Sequence, residues 1–143
     1  MAYKIFLDIN ILIDLLDNKR ANHPYALSVI NHAEAGDCYA YVTESVLNTT
    51  AYLIRKDYPP AKLRQLFNHL LAFVELIPVT TLIYTNGVQR TVNDVEDAIL
   101  YTAALHSSLD FFLTNDIKDF KKLQIPALPV MTAKEFLITY MKK

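Results

Sequence analysis

The chain has 143 residues, 52% of them apolar, one cysteine and a formal net charge of −1. That length suits a single domain spanning residues 1–143 and burying about two-thirds of the surface its unfolded form exposes. The lone Cys38 excludes an intrachain disulfide, and the near-zero charge excludes a generally basic nucleic-acid binder, although a basic rim around an acidic centre would give the same sum.

The first apolar run, KIFLD at 4–8, reads as a buried strand, and a helix pattern starts near Asn10 and fades by Asp17–Arg20. This run is interrupted by Asp8, Asn10, Asp14 and Asp17, so it falls short of the ~20 residues a membrane span needs. His23–Pro24 open a second helix that Gly36 stops, CYAYVT (38–43) is a second strand, and SVLNTTAYLIRK (45–56) is helical. After Pro59–Pro60 comes an amphipathic helix, AKLRQLFNHLLAF (61–73). VELIPVT (74–80) is strand-like, and Pro78 places it at a sheet edge or strand end. TLIYTNGVQR (81–90) is weakly helical, and VNDVEDAILYTAALHSS (92–108) carries the plainest helix pattern. DFFLTND (110–116) reads as a buried strand ending in a polar turn. IPALPVM (125–131) reads as a last short strand, and TAKEFLITYMKK (132–143) as a closing helix. Strands alternating with helices, several of them apolar on both faces, predict an α/β fold with a mostly parallel sheet.

In such folds ligands bind beyond the carboxyl ends of the strands. Asp8 ends the first strand and Asp116 lies just past DFFLT, so the two carboxylates meet if those strands are neighbours. A buried, unpaired carboxylate is costly, so Asp8 needs a helix N-terminus, a cation, or both. A third source of acid is NDVEDAILY. There Asp94 and Asp97 share a helix face, Glu96 points elsewhere, and Asn93 with Glu96 resembles a capping box. Capping and the helix dipole explain Asn93, Asp94 and Glu96, but explain Asp97 less well, one turn in and followed by Ala98–Ile99–Leu100. Carboxylates that repel one another are held together by a cation, and oxygen donors without histidine or cysteine select Mg²⁺ or Mn²⁺ over zinc. His23, His32, His69 and His106 show no ligand spacing and are expected at the surface or in helix packing.

FLDINILIDLL, then DVEDAILYTAAL, then FFLTND followed by DF, together resemble the PIN domain family, which includes the VapC-like toxin ribonucleases of prokaryotic toxin–antitoxin pairs. The resemblance implies a three-layer α/β/α domain with about five strands, and a ribonuclease that hydrolyses RNA with water activated by Mg²⁺ or Mn²⁺. It places Asp8, Asp97 and Asp116 at the family's acidic, metal-holding positions, with Asp94 as a further metal-site residue and Asn10 and Thr114 in support. The chain departs from the commonest pattern where many members carry a glutamate, about at Asn48 or Thr49; Glu44 is too early. Asp94 is a candidate to replace that charge. A catalytically decayed PIN-like module that binds RNA or protein is the alternative this departure supports. A receiver domain or a dehalogenase-type phosphatase fits poorly, because VELIPVTT offers no acceptor aspartate and Asn10 stands where a second aspartate is needed.

An acidic centre repels RNA, so Lys19, Arg20, Arg55, Lys56, Lys118, Lys121 and Lys122 are candidates for phosphate contact from the rim, with ordinary solvated side chains as the equal alternative. The high apolar share predicts surface that meets another protein. In toxin relatives such surface on the second and third helices binds an antitoxin and a second copy, which makes a homodimer and an antitoxin the expected partners. The tyrosines at 39–41 and 52–58 fit that role or a core role equally. No leader precedes the first strand, which, with the single cysteine and no membrane span, suits a cytoplasmic location.

Overall fold

The structure, a computed structural model, describes residues 2–141. Its frame is a five-stranded sheet of β1 (Tyr3–Leu7), β2 (Cys38–Thr43), β3 (Val74–Ile77), β4 (Phe111–Leu113) and β5 (Val130–Met131). All pairings are parallel, in the order β3-β2-β1-β4-β5. The central strand is therefore β1, between β2 and β4, with Ile5, Phe6 and Leu7 opposite Phe111, Phe112 and Leu113. The β2 bounds match those read from the sequence, and β3 is an edge strand that stops one residue before Pro78. Of the expected strand at 125–131 only Val130–Met131 pairs with the sheet. The segment before it turns back on itself through the Ile125–Leu128 bridge, since Pro126 and Pro129 cannot donate to a ladder.

Among the described residues eight helices flank the sheet: α1 (Ile9–Leu16), α2 (His23–Glu34), α3 (Glu44–Ile54), α4 (Pro60–Leu71), α5 (Thr81–Gln89), α6 (Val95–His106), α7 (Ile117–Lys121) and α8 (Ala133–Tyr140). Helix α2 packs on α1 and α8, α1 also packs on α3, and α5 packs on α6. The right-handed crossover rule puts the helices that lead from β1 to β3 on one face and α5–α6 on the other, because the chain reverses direction along the sheet between β3 and β4. Alternation along the central strands feeds both layers. Phe6 stacks on Phe112 at 4.8 Å, and Phe112 meets Tyr101 of α6 and Phe120 of α7. Phe111 and Tyr3, pointing the other way, meet Phe136 and Tyr140 of α8.

Helix α2 ends as expected at Gly36, whose φ of 82° suits glycine, with Gly36 N–H donating to Ala33 O and Asp37 N–H to His32 O. Gly87 serves a different purpose. A Cβ there would lie 2.9 Å from Ile99 Cα and 3.0 Å from its Cγ1, so the absence of a side chain lets α5 lie against α6. Gly87→Ala gains about 1 kcal/mol of helix propensity but forces two backbones apart, and overpacking costs about 1–3 kcal/mol. The second effect wins because the obstructing atom is backbone, and a lower urea midpoint is the expected outcome.

The closing helix was expected over 132–143. It starts at Ala133, capped by the Thr132–Glu135 box, and ends at Tyr140, and residues 142–143 lie outside the described range. The short helix α7 was not expected at all; its five residues are too few to show a period. Among the described residues no helix is long and apolar enough to cross a membrane.

Candidate metal centre

Because β1 and β4 are neighbours, their carboxyl ends bring Asp8 and Thr114 together across a sequence separation of 106. Asp8 leaves the strand in extended backbone (φ −75°, ψ 164°) and caps α1. Its Oδ1 accepts from Ile9 N–H at 2.8 Å, and its Oδ2 accepts from Thr114 Oγ1 at 2.8 Å and from Asn10 Nδ2 at 3.1 Å. Both expected functions of Asp8, cap and site residue, are thus compatible. Asn10 does more than frame the helix. Its Oδ1 accepts from Asn115 N–H at 2.9 Å, which ties α1 to the turn after β4. Thr114 Oγ1 also accepts from Asp116 N–H at 2.9 Å. One hydroxyl therefore fixes the positions of two of the expected acids.

The third acid comes from the opposite layer. Asp94, not Asn93, is the N-cap of α6, and its Oδ1 accepts from Asp97 N–H at 3.0 Å. The expected Asn93–Glu96 capping box is therefore absent, because the helix starts one residue later than that box requires. The cap also holds the first turn that carries Asp97 toward the sheet edge. Carboxylate oxygens of Asp97, Asp116 and Asp119 lie within 4.8 Å of one another. Asp8 and Asp94 are not part of this group, although the charge of each bears on Asp97.

The charges act on one another. Burial first, and then the carboxylates of Asp94, Asp8, Asp116 and Asp119, push Asp97 up to about 7 from an ordinary 3.8. Asp8 is raised mainly by burial, which outweighs the bonds from Thr114 and Ile9; Asp116 and Glu96 add to the rise. Asp116 is raised by burial and by Asp119. Glu96, expected to face elsewhere, is near enough for its charge to bear on Asp8. Among the described residues no cation is in ion-pair contact with any of these acids. The donor set is all carboxylate oxygen, closely spaced and mutually repelling, which fits a hard divalent ion.

Three residues of the centre escape the sequence reading. Asp119 lies on α7, three residues after Asp116; the pair is visible in TNDIKDF only to a reader who expects a helix there. Asn115 and the buried Asp14 are the others. Asp14 Oδ2 accepts from the Asn115 amide, its Oδ1 accepts from Arg20 Nε at 2.6 Å, and its carbonyl meets His23 Nδ1 at 2.9 Å. The signal was available, since the argument that a buried carboxylate needs partners applies to Asp14 as it does to Asp8. The segment around the missing glutamate is simple: Glu44 is the exposed first residue of α3 and Asn48 is exposed one turn later.

The family model described as PIN domain matches residues 4–118. The chain belongs to the PIN domain family. Within it, the chain is 26% identical over 138 residues to Ribonuclease VapC1 of Aquifex aeolicus (strain VF5), covering 93% of this chain and 92% of that protein. Among solved structures it is similar to a toxin–antitoxin complex from Klebsiella pneumoniae, with TM-score 0.66, 22% identity, and 90% and 97% of the two chains covered. VapBC2 from Rickettsia felis, bound to a DNA fragment from its promoter, gives TM-score 0.65 at 17% identity, covering 90% and 98%. Mycobacterium tuberculosis VapC20, a Sarcin-Ricin loop cleaving toxin, gives 0.60 at 17%, covering 80% and 92%. These likenesses agree with the parallel sheet and flanking helices of the PIN fold described above.

Proposed function

We propose that this PIN-family chain is a metal-dependent endoribonuclease, a single domain over residues 1–143, acting in the cytoplasm as the toxin half of a toxin–antitoxin pair. The observation that carries the reading is the meeting of Asp97, Asp116 and Asp119 at the carboxyl edge of the sheet, with the Asp8 charge bearing on Asp97 and Asp97 raised to about 7. Acids in that state are poised for a cation, and Mg²⁺ or Mn²⁺ suits their oxygen donors. When bound, such an ion would lower the pKa of a water and offset the charge gathering on a scissile phosphate.

The residues divide the work. Asp97, Asp116 and Asp119 would hold the ion, and Asp8 would complete the negative site. Asn10 and Thr114 hold the Asp8 carboxylate in one orientation through Oδ2. Asp94 supports Asp97 through the helix cap. No side chain is needed as a nucleophile. The Aquifex relative's name supports RNA as the substrate, and the toxin–antitoxin complexes among the similar structures support an antitoxin partner. Apolar side chains left exposed on α2 and α3 (Leu27, Tyr52, Leu53) and on α5 (Leu82, Tyr84, Val88) offer surfaces for an antitoxin and for a second copy.

The test is cleavage of RNA by the native chain with Mn²⁺, with Mg²⁺ and with chelator, read together with metal-induced thermal stabilisation. Metal-dependent cuts with stabilisation are expected. Neither cleavage nor stabilisation would favour the decayed binding module, for which exposed Asn48 in place of the usual glutamate is the supporting observation.

A further inference from the structure

Three of the seven basic side chains expected on the rim are engaged within the chain. Arg20 is committed to Asp14. Arg55 donates to the Tyr52 carbonyl and lies 3.7 Å from that ring's centroid, and Lys121 donates to Gln124. Lys134, on the first turn of α8, is different. Its Nζ lies 5.6 Å from the centroid of the Tyr25 ring, and among the described residues no carboxylate is in ion-pair contact with it.

Lys134 borders a cavity of about 160 Å³ together with Asn22, Tyr25, Asn115 and Thr132. This volume is roughly five water volumes, room for a phosphodiester group and a water. The lining has one cation, two amides, a tyrosine and a threonine, and no acid, which is the composition that phosphate contacts draw on. Its place in the fold matters as much. Thr132 follows β5 and Asn115 follows β4, and Thr114 N–H donates to Met131 O at 3.0 Å, so the cavity sits at the same carboxyl edge as the acids. Asn115 forms its wall, and Asp116 is the next residue.

We propose that this cavity is a phosphodiester subsite, in which Lys134 holds the RNA phosphate next along the strand from the one at the acidic centre. The acids repel the strand, and the subsite supplies the attraction that keeps it in place. The proposal rests on the ribonuclease reading for the identity of the strand.

The experiment compares native chain, Lys134→Ala and Lys134→Arg, each also in an Asp97→Asn background so that binding is read without turnover. Binding of a labelled single-stranded RNA is followed by anisotropy across a salt series. Lys134→Ala is expected to weaken binding about 5–10-fold at low salt, equally for RNAs of unrelated sequence, and to reduce the log–log salt slope by about 0.7, as loss of one single-strand phosphate contact should. Lys134→Arg keeps both. In the cleaving background the loss appears in KM, and the Mn²⁺-induced rise in melting temperature does not move. Unchanged affinity and slope in Lys134→Ala, or a loss confined to one sequence, overturns the subsite even if the native chain cuts RNA. Conversely, Lys134-dependent binding in a chain that cuts no RNA upholds the subsite and removes the ribonuclease reading.

Discussion

Replacing Asp97 by asparagine is expected to abolish metal-dependent RNA cleavage while making the metal-free protein more stable at neutral pH. The loss follows from the proposed role of Asp97 as a holder of the ion; even outer partners of a metal site are worth about 10–100-fold, so at least about 100-fold is expected here. The gain follows from the burial, and then the repulsion by neighbouring carboxylates, that raise its pKa to about 7. A carboxyl whose folded-state pKa lies above its unfolded value of 3.8 favours the fold fully only below about pH 4. That contribution is lost as pH rises toward 7. The native, metal-free chain should therefore lose stability across this window, and Asp97→Asn should lose less. Solvent screening of a partly exposed group leaves an effect of the order of 1 kcal/mol, or roughly 3–5 °C in melting temperature. Adding Mn²⁺ reverses the sign for the native chain, because ion and proton compete, so the metal-induced rise should grow from pH 6 to pH 8. Melting curves with chelator and with Mn²⁺ across that range decide the matter. A variant that is neither more stable without metal nor less responsive to it would remove Asp97 from the proposed centre.

Arg20→Ala is expected to be the most destabilising single change near the centre, by about 3–5 kcal/mol, because it leaves the buried Asp14 carboxylate without its cation. Asp14 is 2% exposed, so water cannot readily take the place of the guanidinium. Total stabilities are about 5–15 kcal/mol, so the loss is a large share of the whole. Asp14→Ala should cost less, because the guanidinium it leaves behind is 43% exposed and water can solvate it, although the Asn115 amide loses its partner. Asp14→Asn keeps the size and loses the charge. Urea unfolding of the three variants gives the order Arg20→Ala, Asp14→Ala, Asp14→Asn. Equal and small losses would mean that the pair contributes little, as many ion pairs do.

Much of the candidate site could be read from the sequence because its residues stand where strands end. KIFLD and DFFLT are short apolar runs with a polar residue at the carboxyl end, and parallel pairing of those runs suffices to bring Asp8 and Thr114 to 2.8 Å. Asp97 was legible for another reason, as an acid set into an apolar helix face. What escaped detection depends on geometry without periodicity. Helix α7 is five residues long, too short to show a period, so nothing in the sequence marks Asp119. The start of α6 fell one residue late because Asn93 and Asp94 are equally good caps in sequence, and only the fold selects Asp94. Arg20 was read as a free basic group, yet a loop from 17 to 22 curls it back onto Asp14 six residues earlier. Lys134 lies far from every motif and reaches the site edge only through the packing of α8 on α2.

The hydroxyl of Thr114 that orients Asp8 is made 106 residues after it. During synthesis the first strand emerges early and waits, with one flank open, until β4 follows. A ribosome-bound chain that ends before residue 111 has Asp8 but neither its threonine nor Asp116 and Asp119, and the central strand pair cannot close. The centre is therefore absent from nascent chains and is completed only when nearly all of the polypeptide has left the exit tunnel. An unfinished chain therefore lacks Asp116 and Asp119, on which the proposed RNA chemistry depends.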